Sequence, residues 1–150
     1  MEIKESLLHF CQDYVRQKQE VLKKRGASLQ ESLNSETKSS AGDKHETGRA
    51  MVQLEQEKLG QQLQEIEKMT QVLKLVDIGA STQKIGLGNL VQTSTARYFI
   101  AISAGAFRPK NGSPIFCISP STPIAKLLLG KEVGDTFMFN GKSHKILELI

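Results

Sequence analysis

The first 76 residues contain no proline and few glycines, and they are rich in Glu, Gln, Lys and Leu, residues that lose little on entering a helix. A proline-free stretch of this length can run as continuous helix, and the spacing of its apolar residues decides how that helix packs. A 3,4 repeat, the mark of a coiled-coil seam, picks out Ile3, Leu7, Phe10, Tyr14, Gln17, Val21, Lys24 and Ser28. The same repeat picks out Val52, Gln56, Leu59, Leu63, Ile66, Thr70 and Leu73. Folding the chain back near residue 40 sets Leu7 opposite Leu73, Tyr14 opposite Ile66, Val21 opposite Leu59 and Ser28 opposite Val52. Ser35 to Asp43 is rich in Ser, Thr and Lys and contains Gly42, so it reads as that turn. The first helix would be roughly 35 residues long, or roughly 50 Å. Such a hairpin buries too little to be a globule; its natural use is reach.

Residues 1–76 are therefore expected to form an antiparallel coiled-coil hairpin with an acidic tip near 40–48. Residues 77–82, with Gly79 to Thr82, read as a linker, and 83–150 as a second domain. There the period becomes strand-like, with candidate strands at Ile85 to Thr93, Ala96 to Ser103 and Ile115 to Ser119. Thr122-Pro123 and Gly130 mark the two ends of a two-turn helix, a cap and a first-turn proline before it and a glycine after it. Asp135 to Phe139 and Ser143 to Ile150 are strands joined by Asn140-Gly141, a strong hairpin signal. The fold class is α+β: a helical hairpin plus a small, mostly antiparallel sheet with one short helix.

Composition excludes several functions. Hydrophobic residues make up 39% and charged residues 24%, as in soluble globular chains. Six Phe, two Tyr and no Trp are too few for a platform that stacks single-stranded bases. Apolar runs stop at four or five residues, far short of a membrane span, and the N-terminus has no signal-peptide pattern. Neither a membrane partner nor export is expected. Cys11 and Cys117 lie far apart in sequence, form no CxxC, and fit a reducing cytosol better than a disulfide framework. Cys117, in an apolar strand, reads as an inert buried thiol. Residues 1–74 balance 12 basic against 12 acidic side chains, while 75–150 carry 8 against 4. The net charge of +4 thus sits on the second half, where it suits an acidic partner.

No self-contained active site is expected. His9, His45 and His144 lie in three different elements, and neither cysteine lies in a nucleophile signature. Gly86-Leu87-Gly88 is not completed to a dinucleotide fingerprint and reads as strand flexibility or a bulge. The tip Gly42-Asp43-Lys44-His45-Glu46 stands out. Asp43 and Glu46 are three apart, which on a helical turn puts their Cβ atoms roughly 5–6 Å apart. Two readings stay open and are compatible. Asp43 can cap the second helix with Glu46 at its third position, or the two carboxylates can hold part of the shell of a hard cation such as Mg²⁺. His45 reads as solvated, Lys23-Lys24-Arg25 as a solvated helix face, and Met51 and Met69 as flanks of the seam.

Residues 118–135, Ile-Ser-Pro-Ser-Thr-Pro-Ile-Ala-Lys-Leu-Leu-Leu-Gly-Lys-Glu-Val-Gly-Asp, closely resemble the C-terminal signature of bacterial transcript-cleavage factors of the GreA/GreB family. That signature is a Ser-Pro-type step, a short helix ending in Leu-Leu-Gly-Lys, a Gly-Asp turn and a final hairpin. The tip, Gly42-Asp43 followed by Glu46, is similar to the family's Gly-Asp-x-x-Glu. The likeness is strong over 115–150 and patchy over 1–74. It implies a coiled coil joined to an FKBP-like domain that docks on RNA polymerase at its secondary channel, with Ser121, Thr122, Pro123 and Ile124 in the docking loop. It further implies that Asp43 and Glu46 enter the polymerase active site, near the nascent RNA and DNA of the elongation complex. There they would help hold a Mg²⁺ shared with the polymerase and promote cleavage of backtracked RNA. On this reading the protein is a cytoplasmic, monomeric cofactor of the polymerase and no enzyme by itself.

Thr47, Gly48, Arg49 and Ala50 replace the family's Asn-Ala-Glu-Tyr, and Arg49 reverses a charge beside the two acids. A polymerase-binding regulator of the same fold that does not promote cleavage is therefore the alternative. An FKBP-like prolyl isomerase is disfavoured by the low aromatic count. A plain coiled-coil dimerisation module would self-associate instead of binding polymerase.

Overall fold

A computed structural model describes residues 2–38 and 42–150, with the side chains of 36–46 set aside. The elements are helices α1 (Glu2–Lys38) and α2 (Gly42–Leu75), strands β1 (Leu90–Thr93), β2 (Arg97–Ile100), β3 (Gly105–Phe107) and β4 (Ile115–Ile118), helix α3 (Pro123–Leu128), and strands β5 (Thr136–Phe139) and β6 (Lys142–Leu149). This is the α+β class that the sequence indicates. The chain divides into two compact units, Val15–Thr70 and Met1–Tyr14 with Gln71–Ile150.

In the helical unit the seam is built from Val15 and Leu22 of α1 and Leu59 and Ile66 of α2, all buried. The α2 seam follows the sequence reading closely, except that Leu63 is 44% exposed and its neighbour Gln62 turns inward. The α1 seam does not follow it. Val21 is 56% exposed while Leu22 is buried. Burial along α1 falls at Leu7, Cys11, Val15 and Leu22 and, in part, at Gly26, Leu29 and Leu33, so two consecutive four-residue steps, Leu7–Cys11–Val15, move the seam on by one position. Beyond that shift Leu22, Gly26, Leu29 and Leu33 keep the 3,4 alternation, as an inserted four-residue step in a heptad pattern leaves it. The expected layers shift accordingly. Leu59 lies under Gly26, where an added Cβ would meet its Cδ2 at 3.4 Å. Arg25 Nη1 donates to Gln62 Oε1 at 3.0 Å.

The second unit is one six-stranded sheet in the order β3-β4-β2-β1-β6-β5. Every pair is antiparallel except β2–β4. Consecutive residues Leu90 and Val91, and Phe99 and Ile100, are all buried, so both faces of these central strands are covered. One face carries Val91, Ile100, Phe137 and Ile146, which pack with Ile85 and with Leu128 of α3. Leu90, Phe99, Ile115 and Cys117 alternate with them, and the buried Leu7 and Cys11 belong to the first turns of α1. Phe10 of α1 meets Phe107 of β3 edge-on, with ring centroids 5.4 Å apart.

Two local readings are corrected. The strand expected from Ile85 begins at Leu90, because Gly86–Asn89 forms a turn. Gly88 takes φ 87°, Gly86 N–H donates to Asn89 Oδ1 at 2.8 Å, and Gly88 N–H reaches Ile100 O at 2.7 Å. A Cβ on Gly88 would lie 3.2 Å from Asp77 O, so this glycine serves a close backbone approach as well as a positive φ. Strand β3, pairing with β4, was not among the expected strands; Gly-Ala-Phe carries no alternation to reveal it.

The Ile150 carbonyl gathers three donors: Leu90 N–H at 3.0 Å, Asn89 Nδ2 at 3.1 Å and Lys4 Nζ at 3.2 Å. Lys4 is 1% exposed, and burial pushes its ammonium below the ordinary lysine range, with the Asp77 charge opposing the shift. A lysine depressed in the fold binds its proton more weakly than in the unfolded chain. Stability should therefore rise with pH between the folded value and the ordinary one. Lys4→Met should flatten that rise and preserve stability at neutral pH, since Ile150 O keeps two donors; Lys4→Ala should cost about 2 kcal/mol by leaving a cavity. In the helical unit Gly60 has open space around its Cα, so Gly60→Ala should stabilise by about 0.5–1 kcal/mol. Urea unfolding across a pH series checks all three.

Candidate functional site

The segment Ser119–Gly134 is built outward from the sheet. Ser119 follows β4, and its N–H donates to Ser103 Oγ at 3.2 Å. Thr122 then closes the turn, its N–H and hydroxyl both donating to Ser119 O, at 3.2 and 2.8 Å. Its extended backbone (φ −70°, ψ 152°) and its Oγ1, which accepts from Ala125 N–H at 3.3 Å, make it the cap of α3. Pro123 occupies the first turn, where no backbone donor is needed. Ala125 and Leu128 face the core and are fully buried, while Ser121 and Pro123 are exposed and Ile124 is half-buried. Ser121 Oγ lies 2.9 Å from Ser119 Oγ. The four residues singled out in the sequence thus form one continuous surface step, held by Thr122.

The far end of α3 is held as firmly. Leu129 N–H reaches Ala125 O at 2.9 Å, and Gly130 follows at φ 82°. Gly130 N–H donates to Ile85 O at 2.9 Å and Ile85 N–H donates to Lys131 O at 2.8 Å, a reciprocal pair. Sequence reading placed Ile85 in a strand and missed this role; no local signal marks it. Gly134, at φ 94°, donates to Ile146 O at 2.8 Å, and Asp135 Oδ2 accepts from Glu132 N–H at 2.8 Å. Asn140 and Gly141 both take positive φ, 52° and 76°, as a two-residue type I′ hairpin between β5 and β6 requires.

At the tip, the described part of α2 begins at Gly42, with Asp43 and Glu46 as its second and fifth residues, and the capping reading of this pair lies outside the described residues. Their side chains, with those of Lys44 and His45, fall outside the described residues. Among the described residues no cluster of three His, Cys, Asp or Glu could hold a metal ion. Arg49, three positions beyond Glu46 on α2, is exposed. Among the described residues no helix is long and apolar enough to cross a membrane.

The remaining candidates are structural. His9 is exposed. His144 is buried, stacked on Phe137 with centroids 5.2 Å apart. Its Nε2 lies 3.3 Å from Phe139 O, which can only accept, so Nε2 donates there, and its Nδ1 lies 2.8 Å from the Thr95 hydroxyl. Cys11 of α1 and Cys117 of β4 are both free thiols and both buried.

No family model matches the chain, and no curated protein matches it. Among solved structures, one described as that of the transcription factor Gfh1 is 19% identical, with 95% of this chain and 92% of that chain covered at a TM-score of 0.34. A second, GreA factor homolog 1 (Gfh1) of Thermus thermophilus, is also 19% identical, with 95% and 94% covered at a TM-score of 0.34.

Thr122→Ala should cost about 1 kcal/mol through loss of the cap, with Thr122→Ser recovering most of it. Gly130→Ala, with free space but a left-handed backbone, should cost about 1–2 kcal/mol. Thermal unfolding followed by circular dichroism measures both.

Proposed function

We propose that this protein is a bacterial RNA-polymerase-binding transcription factor of the GreA/GreB type, docked through Ser121, Thr122, Pro123 and Ile124. The observation that carries the reading is the Ser119–Gly134 step. Its family-like sequence is matched by a capped, proline-initiated helix with Ser121 and Pro123 exposed on a rigid base. Rigid presentation lowers the ordering cost of docking, so a short surface can bind usefully. Ile124 supplies a half-buried apolar contact at its centre.

The hairpin then serves as a probe into the secondary channel, carrying Asp43 and Glu46 near the start of α2. Two carboxylates three positions apart on a helix are an oxygen donor set suited to part of a Mg²⁺ shell, too few to bind the ion alone. Asp43 and Glu46 would share in holding such an ion between tip and polymerase, where it would supply positive charge for RNA cleavage. The task of Asp43 and Glu46 is to supply negative charge and to hold position. The chain needs no active site of its own, and it acts as a monomeric cofactor in the cytoplasm.

A second reading rests on Arg49. An exposed cation one turn beyond Glu46 competes with a metal for the same carboxylates. That favours a factor that occupies the channel without promoting cleavage.

A backtracked elongation complex with the cognate polymerase separates the two. Shortened transcripts with the native chain, lost in Asp43→Ala/Glu46→Ala with binding intact, are expected of the cleavage factor. Binding without cleavage, unaltered by that double variant, is expected of the channel-occupying regulator. Pro123→Glu should weaken polymerase binding about tenfold or more, at least about 1.4 kcal/mol, and leave the fold intact. Full binding by Pro123→Glu would contradict the docking assignment.

A further inference from the structure

We propose that Asn111 is a site of self-modification, cyclising onto the nitrogen of Gly112 and hydrolysing to aspartate or isoaspartate, while Asn140 in the final hairpin is protected. The proposal goes beyond the polymerase reading and uses none of its residues. The sequence has two Asn-Gly steps, the dipeptide in which a missing Cβ lets the following nitrogen reach the side-chain carbonyl carbon. The structure treats them differently. Asn140 and Gly141 are held at φ 52° and 76° between Phe139 and Lys142, which pair directly. Asn111 and Gly112 lie in the loop 108–114, beyond the last β3–β4 pair at Phe107 and Ile115. Both are exposed, and among the described residues neither the Gly112 N–H nor the Asn111 side chain has a hydrogen-bond partner.

The surroundings of the loop favour the reaction. A Cβ on Gly112 would lie 3.2 Å from Arg97 Nη2, so a guanidinium sits against this glycine. Ser113 fixes Arg97 there, its Oγ accepting from Nε at 3.1 Å and its carbonyl from Nη2. A fixed positive charge stabilises the deprotonated Gly112 nitrogen and the oxyanion that its attack creates. Residues 78–131 carry six cations, Arg108 and Lys110 among them, and no acid to oppose this field. The Gly112 nitrogen attacks Asn111 Cγ; a C–N bond forms, the bond to the side-chain nitrogen breaks, and that nitrogen leaves as ammonia with the proton from Gly112. Water then adds to either carbonyl of the ring and opens it, giving aspartate or isoaspartate. Nothing is oxidised or reduced. Each product places the first carboxylate in the 78–131 stretch, so the basic half of the chain becomes less suited to an acidic partner with age.

The test incubates the folded chain in mildly alkaline buffer and maps its peptides by mass, with the same chain in urea as reference. In the fold, the peptide holding Asn111 should lose ammonia, gain water and split into aspartate and isoaspartate forms, while the peptide holding Asn140 stays unchanged. In urea both peptides should convert. Asn111→Gln, which would have to close a larger ring, should lose the folded-state conversion. Arg97→Gln should slow conversion at Asn111 several-fold in the fold and leave the rate in urea unchanged. Equal conversion at Asn140 in the fold, or an unmodified Asn111 while the urea reference converts, would overturn the proposal. An undiminished folded-state rate in Arg97→Gln would overturn the part given to Arg97.

Discussion

The reciprocal hydrogen bonds between Ile85 and the Gly130–Lys131 backbone, at 2.9 and 2.8 Å, are the constraint on which the surface step depends. A helix of six residues has no independent stability, because nucleation costs more than so few bonds return. Helix α3 therefore exists only where its ends are tied. Thr122 ties the first end to β4 through Ser119, and Ile85 ties the second to the segment leading into β1. Ile85 is itself 3% exposed and belongs to the core, so the tie is anchored by burial as well as by hydrogen bonds. Displacing it would leave Ala125 and Leu128 without a reason to face inward. Ser121 and Pro123 would then lose their fixed presentation.

The sheet gains its rigidity by being buried on both faces in its centre. Adjacent residues of β1 and β2 point opposite ways and are all sequestered, so a one-residue slip would exchange the side chains fitted to each face. The gathering of Leu90, Asn89 and Lys4 donors on the Ile150 carbonyl ties the start of β1, the end of β6 and the first turn of α1 at one point. The cost is a lysine held at low exposure, which the carbonyl and the Asp77 charge offset in part.

Much of the fold was legible because its signals are local. Thr122-Pro123 and Gly130 bracket α3, and Asn140-Gly141 names the final hairpin turn with the positive φ angles it requires. The helices follow from composition and the absence of proline. What stayed hidden depends on distant partners or on period. The heptad ladder is right through Tyr14 and fails by Val21, because two consecutive four-residue steps, Leu7–Cys11–Val15, move the seam on by one position. Strand β3 exists because β4 offers it an edge, and Ile85 is a clamp because Gly130 returns to it. Nothing local in either segment announces that Phe10 of α1 meets Phe107 of β3. The acids of the tip were legible as a pair from their three-residue spacing alone.

The central claim is that the Ser119–Gly134 step is the surface that meets polymerase. Photo-crosslinking tests it most directly, with the crosslinking side chain placed at exposed Ser121 and, as a control, at exposed Met138 on β5. The account predicts crosslinks to the secondary-channel rim of the cognate polymerase from position 121 and none from 138. Crosslinks from 138 alone, or from neither position with polymerase binding demonstrated in the same sample, would contradict it.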